Sequence, residues 1–337
     1  MSDPTMKIAC PISSADEVEM LAENGAGEFY CGLTPPEWLE RYNVAIWLNR
    51  RSPKGANLLS YDALGALVDN AQRYSIPVSL TLNAHHYTEE QLTLVLELAR
   101  RASGLGVAAL IVADPALMLA LREAGIETPL HLSSLGACFS AEAAGFYQEL
   151  GASRVILPRD LGLAEMARLV ASAGSGIEWE AFVLNDGCPY TEGFCLTTHS
   201  VGDAFCHREQ AYTFHSASSR LADVESGQLE EQYRDYRDWV WHVGGGCTVS
   251  HRGLQNGACG LCAIAELADL GVTAIKISGR QAPAVRKLMS LKLVRAVIDK
   301  LRAGAPPEEA AAFARALRDT PDLCDSSYMC YYRDAAG

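Results

Sequence analysis

Short apolar runs alternate with longer amphipathic stretches through most of this chain. The runs predict strands at Met6 to Cys10, Glu28 to Cys31, Val78 to Leu82, Ala108 to Val112, Leu130 to Leu132, Arg154 to Leu157, Glu178 to Leu184 and Ala274 to Ile277. Between them, apolar positions at helical spacing predict helices at Ala15 to Asn24, Tyr61 to Tyr74, Thr88 to Leu105, Pro115 to Ala124, Ala141 to Leu150, Leu163 to Ala173 and Leu261 to Leu270. Parallel strands need such crossovers. Gly106, Gly125, Gly151 and Gly271 stand just before the next strand, where a helix ends best on a left-handed residue. The eight alternating units predict an α/β fold, a (β/α)8 TIM-barrel-like architecture, with an open doubly wound sheet as its competitor.

One stretch breaks the rhythm. Residues 186–256, after the seventh strand, show no clear periodicity and concentrate Tyr, Phe, His and Cys. In a barrel, the loops that follow strands build the active face, and the aromatic content argues against disorder. The expected organisation is one domain over residues 1–301 carrying this Cys-rich insertion, followed by a C-terminal helix and tail over 302–337, helical around Pro307 to Leu317.

Charge narrows the partners. A formal net charge of -13 opposes bulk nucleic acid, whose phosphates are neutralised by Lys and Arg. The local strip Arg50, Arg51 and Lys54 has the charge to hold an anion, or is simply a solvated loop. The start MSDPTMK carries no basic region followed by an apolar run, and no segment reaches about 18 uninterrupted apolar residues. A soluble, cytoplasmic protein without a membrane span is therefore expected.

Eleven cysteines, an odd number without a secretion signal, argue for reduced thiols and metal ligation over a disulfide framework. Cys188 and Cys195 close a tight loop, Cys206 follows after ten residues, and Cys262 sits at a later helix start. A 4Fe-4S cluster needs four thiolates converging from different directions, which three from one irregular loop and one from a neighbouring loop would supply. Structural zinc is the rival, since it also takes Cys or mixed Cys and His, and His199, His207 and His251 are near in sequence. The single Cys-x2-Cys pair is Cys259 to Cys262; Cys259 and Cys247 are spare ligands. Cys10, Cys31 and Cys138 read as core thiols.

Polar residues also cluster where barrel strands would end: Asn83, His85 and His86, then Asp114, Ser133 and Ser134, then Arg159, Asp160, Asn185, Lys276 and Arg280. Such positions supply catalytic groups, so Arg159, Lys276 and Arg280 are candidate anchors for an anion, with Glu180 and His85 as further catalytic candidates. The same residues serve equally well as rim salt bridges with Glu180 or Asp160. Asp114 before Pro115 reads as a helix cap.

Several blocks together carry a resemblance: Gly25-Ala26 with Phe29-Tyr30-x-Gly32, Leu132-Ser133-Ser134, Gly151-Ala-x-Arg154-Val-x-Leu157-Pro158-Arg159, Glu178-Trp-Glu-Ala-Phe-Val before Cys188-x6-Cys195, and Gly271-Val-x-x-x-Lys276-Ile-x-Gly279-Arg280. In this order and spacing they resemble the peptidase U32 family, the collagenase-like proteases. The resemblance implies a barrel-like fold. It also implies kinship with the family's iron-sulfur branch, whose members act in oxygen-independent hydroxylation of ubiquinone and of RNA, some as heterodimers of related members. In that branch a 4Fe-4S cluster is held by cysteines matching Cys188, Cys195, Cys206 and Cys262. The chain departs from the pattern at Leu184-Asn185, where many members carry His-Gly, at Ser278, where they carry Glu, and at Arg159-Asp160-Leu161, where they carry Arg-Glu-Leu.

The expectation that follows is an oxygen-independent redox enzyme or subunit acting on a small molecule or partner-presented substrate. A peptidase, and a zinc- or cluster-stabilised partner-binding scaffold, are the alternatives. No Gly-x-Ser-x-Gly elbow and no His-Glu-x-x-His helix supports proteolysis.

Overall fold

The computed structural model describes residues 6–185, 188, 191–195, 226–245, 258–327 and 329–335. Eight strands, β1 (Lys7–Pro11), β2 (Glu28–Gly32), β3 (Val78–Leu82), β4 (Ala109–Val112), β5 (Leu130–Leu132), β6 (Ala152–Ile156), β7 (Glu178–Leu184) and β8 (Ala274–Ile277), pair in sequence order. All pairings are parallel, and β8 returns to β1 through Lys7 opposite Ala274, Ile8 opposite Ile275 and Ala9 opposite Lys276. The sheet is therefore a closed barrel; the open-sheet competitor falls away.

Helices fill the crossovers: α1 (Val18–Glu23), α2 (Pro36–Tyr42), the single turn α3 (Pro53–Ala56), α4 (Tyr61–Gln72), α5 (Glu89–Gly104), α6 (Pro115–Glu123), α7 (Ala141–Glu149), α8 (Leu163–Ser172), α9 (Ser226–Gly245) and α10 (Ile264–Asp269). After β8 come α11 (Ala284–Arg302), α12 (Pro307–Arg318) and α13 (Pro321–Asp325). Local chemistry sets their ends. Ser60, Ser140 and Asp114 accept from backbone N–H groups in the first turns of α4, α7 and α6, and Thr88 with Gln91 forms a reciprocal capping box on α5. Gly106, Gly125, Gly151 and Gly271 all have positive φ, as their places before strands demand. The sequence reading did not anticipate α2, α3, α9 inside the 186–256 insertion, α11 or α13.

Two apolar layers result. The main one lies between barrel and helices, with Leu64, Leu67, Leu80, Leu110, Leu130 and Val294 fully buried. The second is inside the barrel, where Tyr30, Ile111, Ile156 and Phe182 pack together. Each of Glu28, Arg154 and Glu180 lies two residues earlier on its strand and points the same way, so a charged layer sits beneath this plug. There Arg154 meets Glu28 at 2.5 Å, Glu178 at 2.7 Å and Glu180 at 3.2 Å.

Two groups of hydrogen bonds, one on α11 and one in the tail, fasten the C-terminal part of the chain to the barrel. Buried Lys287 on α11 donates to Glu17 at 2.8 Å and to Ser13 at 2.7 Å, tying the last barrel helix to the first βα loop. The tail then runs beside β7. Cys259 N–H donates to the Met329 carbonyl at 2.8 Å, and Tyr331 N–H to the Cys259 carbonyl at 3.0 Å. Tyr332 donates to the Phe182 carbonyl at 2.7 Å, and Asp334 accepts from Ala164 N–H at the start of α8. Among the described residues no helix is long and apolar enough to cross a membrane.

Candidate functional site

Above the plug, the C-terminal ends of the strands open into a cavity of about 70 Å³. Tyr30 and Phe182 form its floor, and Arg50, Arg51, Asn83, Ser133, Lys276 and Arg280 are among its walls. Lys276 reaches it from β8, its ammonium 2.6 Å from Glu180 and 3.9 Å from the centre of the Tyr30 ring. Burial raises the Glu180 carboxyl, but the charges of Lys276 and Arg154 outweigh it and hold the group below its ordinary range.

Arg280 is the unusual member. It is buried, and its guanidinium donates to neutral groups: Asn57 Oδ1 at 3.1 Å, Thr81 Oγ1 at 2.7 Å and Asn49 Oδ1 at 3.0 Å. Burial pulls its pKa down to about 10, with the Arg51 charge adding to the effect. Nearby, Arg50 Nη1 and Asn83 Oδ1 are buried with no hydrogen-bond partner among the described residues. The spare Arg50 donor and the excess of positive charge suit an anion, while Asn83 Oδ1 is a spare acceptor for a donor beside it.

The remaining candidates surround this cavity. Arg159 stands 3.3 Å from Glu192 and donates to the Cys188 carbonyl at 3.3 Å. Glu192 accepts from Ser134 at 2.5 Å, so the loop after β7 is fastened over the mouth by its own carboxylate. His85 meets the Glu192 carbonyl at 2.9 Å, and burial lowers its pKa. A neighbouring cavity contains both His85 and His86 together with Cys195, because β3 ends at Leu82 and the strand alternation that would have separated the two His no longer applies. Asp114 caps α6 as expected, accepting from Ala116 N–H at 2.9 Å. Asn185, at φ 78°, turns away to Ser290 on α11.

The cysteines divide. Cys10, Cys31 and Cys138 are buried core thiols, each pushed up to about 12 by burial. Cys188 and Cys195 lie on the loop over the mouth, while Cys206, Cys247, His199, His207 and His251 fall outside the described residues. Cys262 lines a different cavity, with Cys259, Cys324 and Cys330. The grouping of Cys324 and Cys330 with Cys259 and Cys262 was not foreseen, nor were the roles of Asn49, Asn57 and Glu192. Asn49 and Asn57 lie in an aperiodic crossover, where only their polarity near a basic strip hinted at a site.

The chain is similar to several known proteins. It is 36% identical over 92 residues to tRNA hydroxylation protein P of Escherichia coli (strain K12), covering 27% of this chain and 20% of that protein. It is 23% identical over 280 residues to tRNA hydroxylation protein P2 of Bacillus subtilis (strain 168), covering 83% of this chain and 80% of that one. The match thus spans about a fifth of the Escherichia coli relative and most of the second Bacillus one. Among solved structures, the U32 peptidase Mk0906 aligns over 83% of this chain and 95% of its own, at 14% identity and a TM-score of 0.46. The model of peptidase family U32 matches residues 13–336, nearly the whole chain, and the chain belongs to that family.

Proposed function

We propose that this protein takes part in hydroxylation chemistry as an oxygen-independent redox enzyme or subunit. In this reading it binds an anionic small molecule, or an anionic part of a partner-presented substrate, in the barrel-mouth cavity. The observation that carries the binding half is buried Arg280, held by neutral partners beside the unsatisfied Arg50 Nη1. Arg280 and Arg50 would fix the anion, while Lys276, held by Glu180, would face it from the wall. The tRNA hydroxylation relatives support the chemical class and set tRNA beside a small molecule as candidate substrate. With a net charge of -13, contact with RNA would depend on a local basic patch or on a partner, such as a related family member.

A 4Fe-4S cluster would supply electron transfer in this reading. The family-derived ligands Cys188, Cys195, Cys206 and Cys262 fit it incompletely, because Cys195 and Cys262 line separate cavities. The peptidase reading has one observation in its favour, the shared cavity of Cys195 and His85. His85 already engages the Glu192 carbonyl there.

Deleting the gene and quantifying hydroxylated nucleosides in total tRNA, and hydroxylated quinones in lipid extracts, by mass spectrometry tests the proposal. One of these products should fall at least about tenfold, be restored by the wild-type gene, and not be restored by Arg280→Leu. Unchanged levels of both would reject the hydroxylation reading.

A further inference from the structure

A second cavity, of about 340 Å³, lies beside the mouth cavity of about 70 Å³. Two short turns, Ser134–Gly136 after β5 and Glu192–Phe194 after β7, stand between them. Each turn puts residues into both spaces: Ser134, Leu135 and Glu192 line the mouth, while Leu135, Gly136 and Gly193 line its neighbour.

The two halves of this wall are held differently. Ser134–Gly136 is built into the barrel. Ser133 N–H donates to the Val112 carbonyl at 2.7 Å, Tyr147 donates to the Gly136 carbonyl at 2.6 Å, and a Cβ on Gly136 would fall 2.5 Å from Leu132 Cδ1. Glu192–Phe194 is held instead by polar contacts: the Glu192 carboxylate accepts from Ser134 and stands 3.3 Å from Arg159, and its carbonyl meets His85 at 2.9 Å. Phe194 is 70% exposed and gives the turn no apolar anchor. Where the halves touch, a Cβ on Gly193 would fall 2.5 Å from the Ala137 Cβ, and Ala137 itself sits at φ 54°, a left-handed conformation that costs an alanine energy. A wall with so little buried apolar contact opens more readily than packed core.

Charge supplies a reason for it to open. Glu192 shares the mouth with Arg50, Arg51, Lys276 and Arg280, so it occupies a place that suits an anion. A second anion arriving there repels the carboxylate and weakens the positive potential that holds it. Size supplies another reason. Small-molecule pockets begin near roughly 300 Å³, so the mouth alone seats only a compact charged group, whereas its neighbour has room for a ring. That larger space offers Ala113, Pro115, Leu135 and Ala137 beside His85, whose ring burial keeps uncharged at neutral pH.

We propose that the two cavities are halves of one binding site for an organic anion, whose charged group seats in the mouth while an uncharged, largely apolar body displaces the Glu192 turn and enters the larger cavity. This rests on the anion reading of the mouth given above and adds the part of the ligand that the mouth cannot hold.

The test titrates the full-length protein calorimetrically with inorganic phosphate, which is a charged group alone, and with phenyl phosphate, which adds an uncharged ring. Phenyl phosphate should bind about tenfold tighter or more. In hydrogen–deuterium exchange read by mass spectrometry, it should speed exchange of residues 191–195 about threefold or more. Ala113→Leu, which fills the larger cavity, should weaken phenyl phosphate about fivefold or more and leave phosphate unchanged. Glu192→Gln should speed exchange of 191–195 with no ligand present. Circular dichroism checks that both variants fold, and the wild-type measurements need neither of them. Equal binding of the two probes, or exchange of 191–195 that phenyl phosphate leaves unchanged or slows, would overturn the joined site and leave the anion reading standing. So would a folded Ala113→Leu that weakens neither probe or both alike, or an unchanged rate in Glu192→Gln. No binding of either probe would overturn both.

Discussion

A missing side chain shapes the mouth cavity as much as any present one. At Gly32 an added Cβ would fall 1.9 Å from Asn57 Oδ1 and 2.0 Å from Arg280 Nη1. Arg280 and its amide cradle therefore occupy space that only glycine leaves open. Gly32→Ala should destabilise the protein by about 1–3 kcal/mol in urea unfolding, as overpacking does; an unchanged midpoint would mean that Arg280 is not seated as described. Ser278 adds another neutral side chain to the same cavity, in which Arg280 donates to Asn57, Thr81 and Asn49.

Between residues and fold, the tail is the element whose contacts are easiest to isolate. Tyr332→Phe removes one hydroxyl and leaves the buried Phe182 carbonyl without that donor, a change worth about 1–3 kcal/mol. The variant should be cleaved faster than wild type after Arg318 or Arg333 in limited trypsinolysis, with barrel circular dichroism unchanged; equal rates would show that the hydroxyl does not hold the tail. Elements of this kind were the least legible in the sequence. All eight strands could be read because buried parallel strands form short apolar blocks set off by turn residues, as at Val78–Leu82 after Pro77 and Ala274–Ile277 after Gly271. In α11 the stripe Leu291, Val294, Ile298 and Leu301 is diluted by buried Lys287 and Ser290, which blurs its helical period in the sequence. The mouth cavity was half legible: Lys276 and Arg280 followed from strand ends, whereas Asn49 and Asn57 come from a crossover with no period. Cys324 and Cys330 reach Cys259 only through the packing of α12 and α13, which no local pattern encodes.

Across the whole molecule, the barrel is plugged with charge as well as hydrocarbon, and this sets its response to acid. Burial lowers the His131 pKa to about 4, with the Arg154 charge reinforcing the shift, whereas an unfolded histidine titrates near about 6.5. Between those values the unfolded chain binds a proton that the folded chain refuses, so stability falls as pH falls, by up to about 1.4 kcal/mol per unit. The depressed Glu28 and Glu180 carboxyls add a second loss once the pH drops below their unfolded value of about 4.3. Urea unfolding of wild type should show the first slope, and His131→Phe should flatten it; an identical slope in the variant would reject His131 as its source. The docking of Met329 and Tyr331 on Cys259 has a consequence in time as well as in space. A ribosome adding roughly 5–20 residues per second needs several seconds to travel from one to the other. During that interval the flank of a nascent barrel lies uncovered, its apolar surface open to whatever chaperone arrives before the chain closes over it.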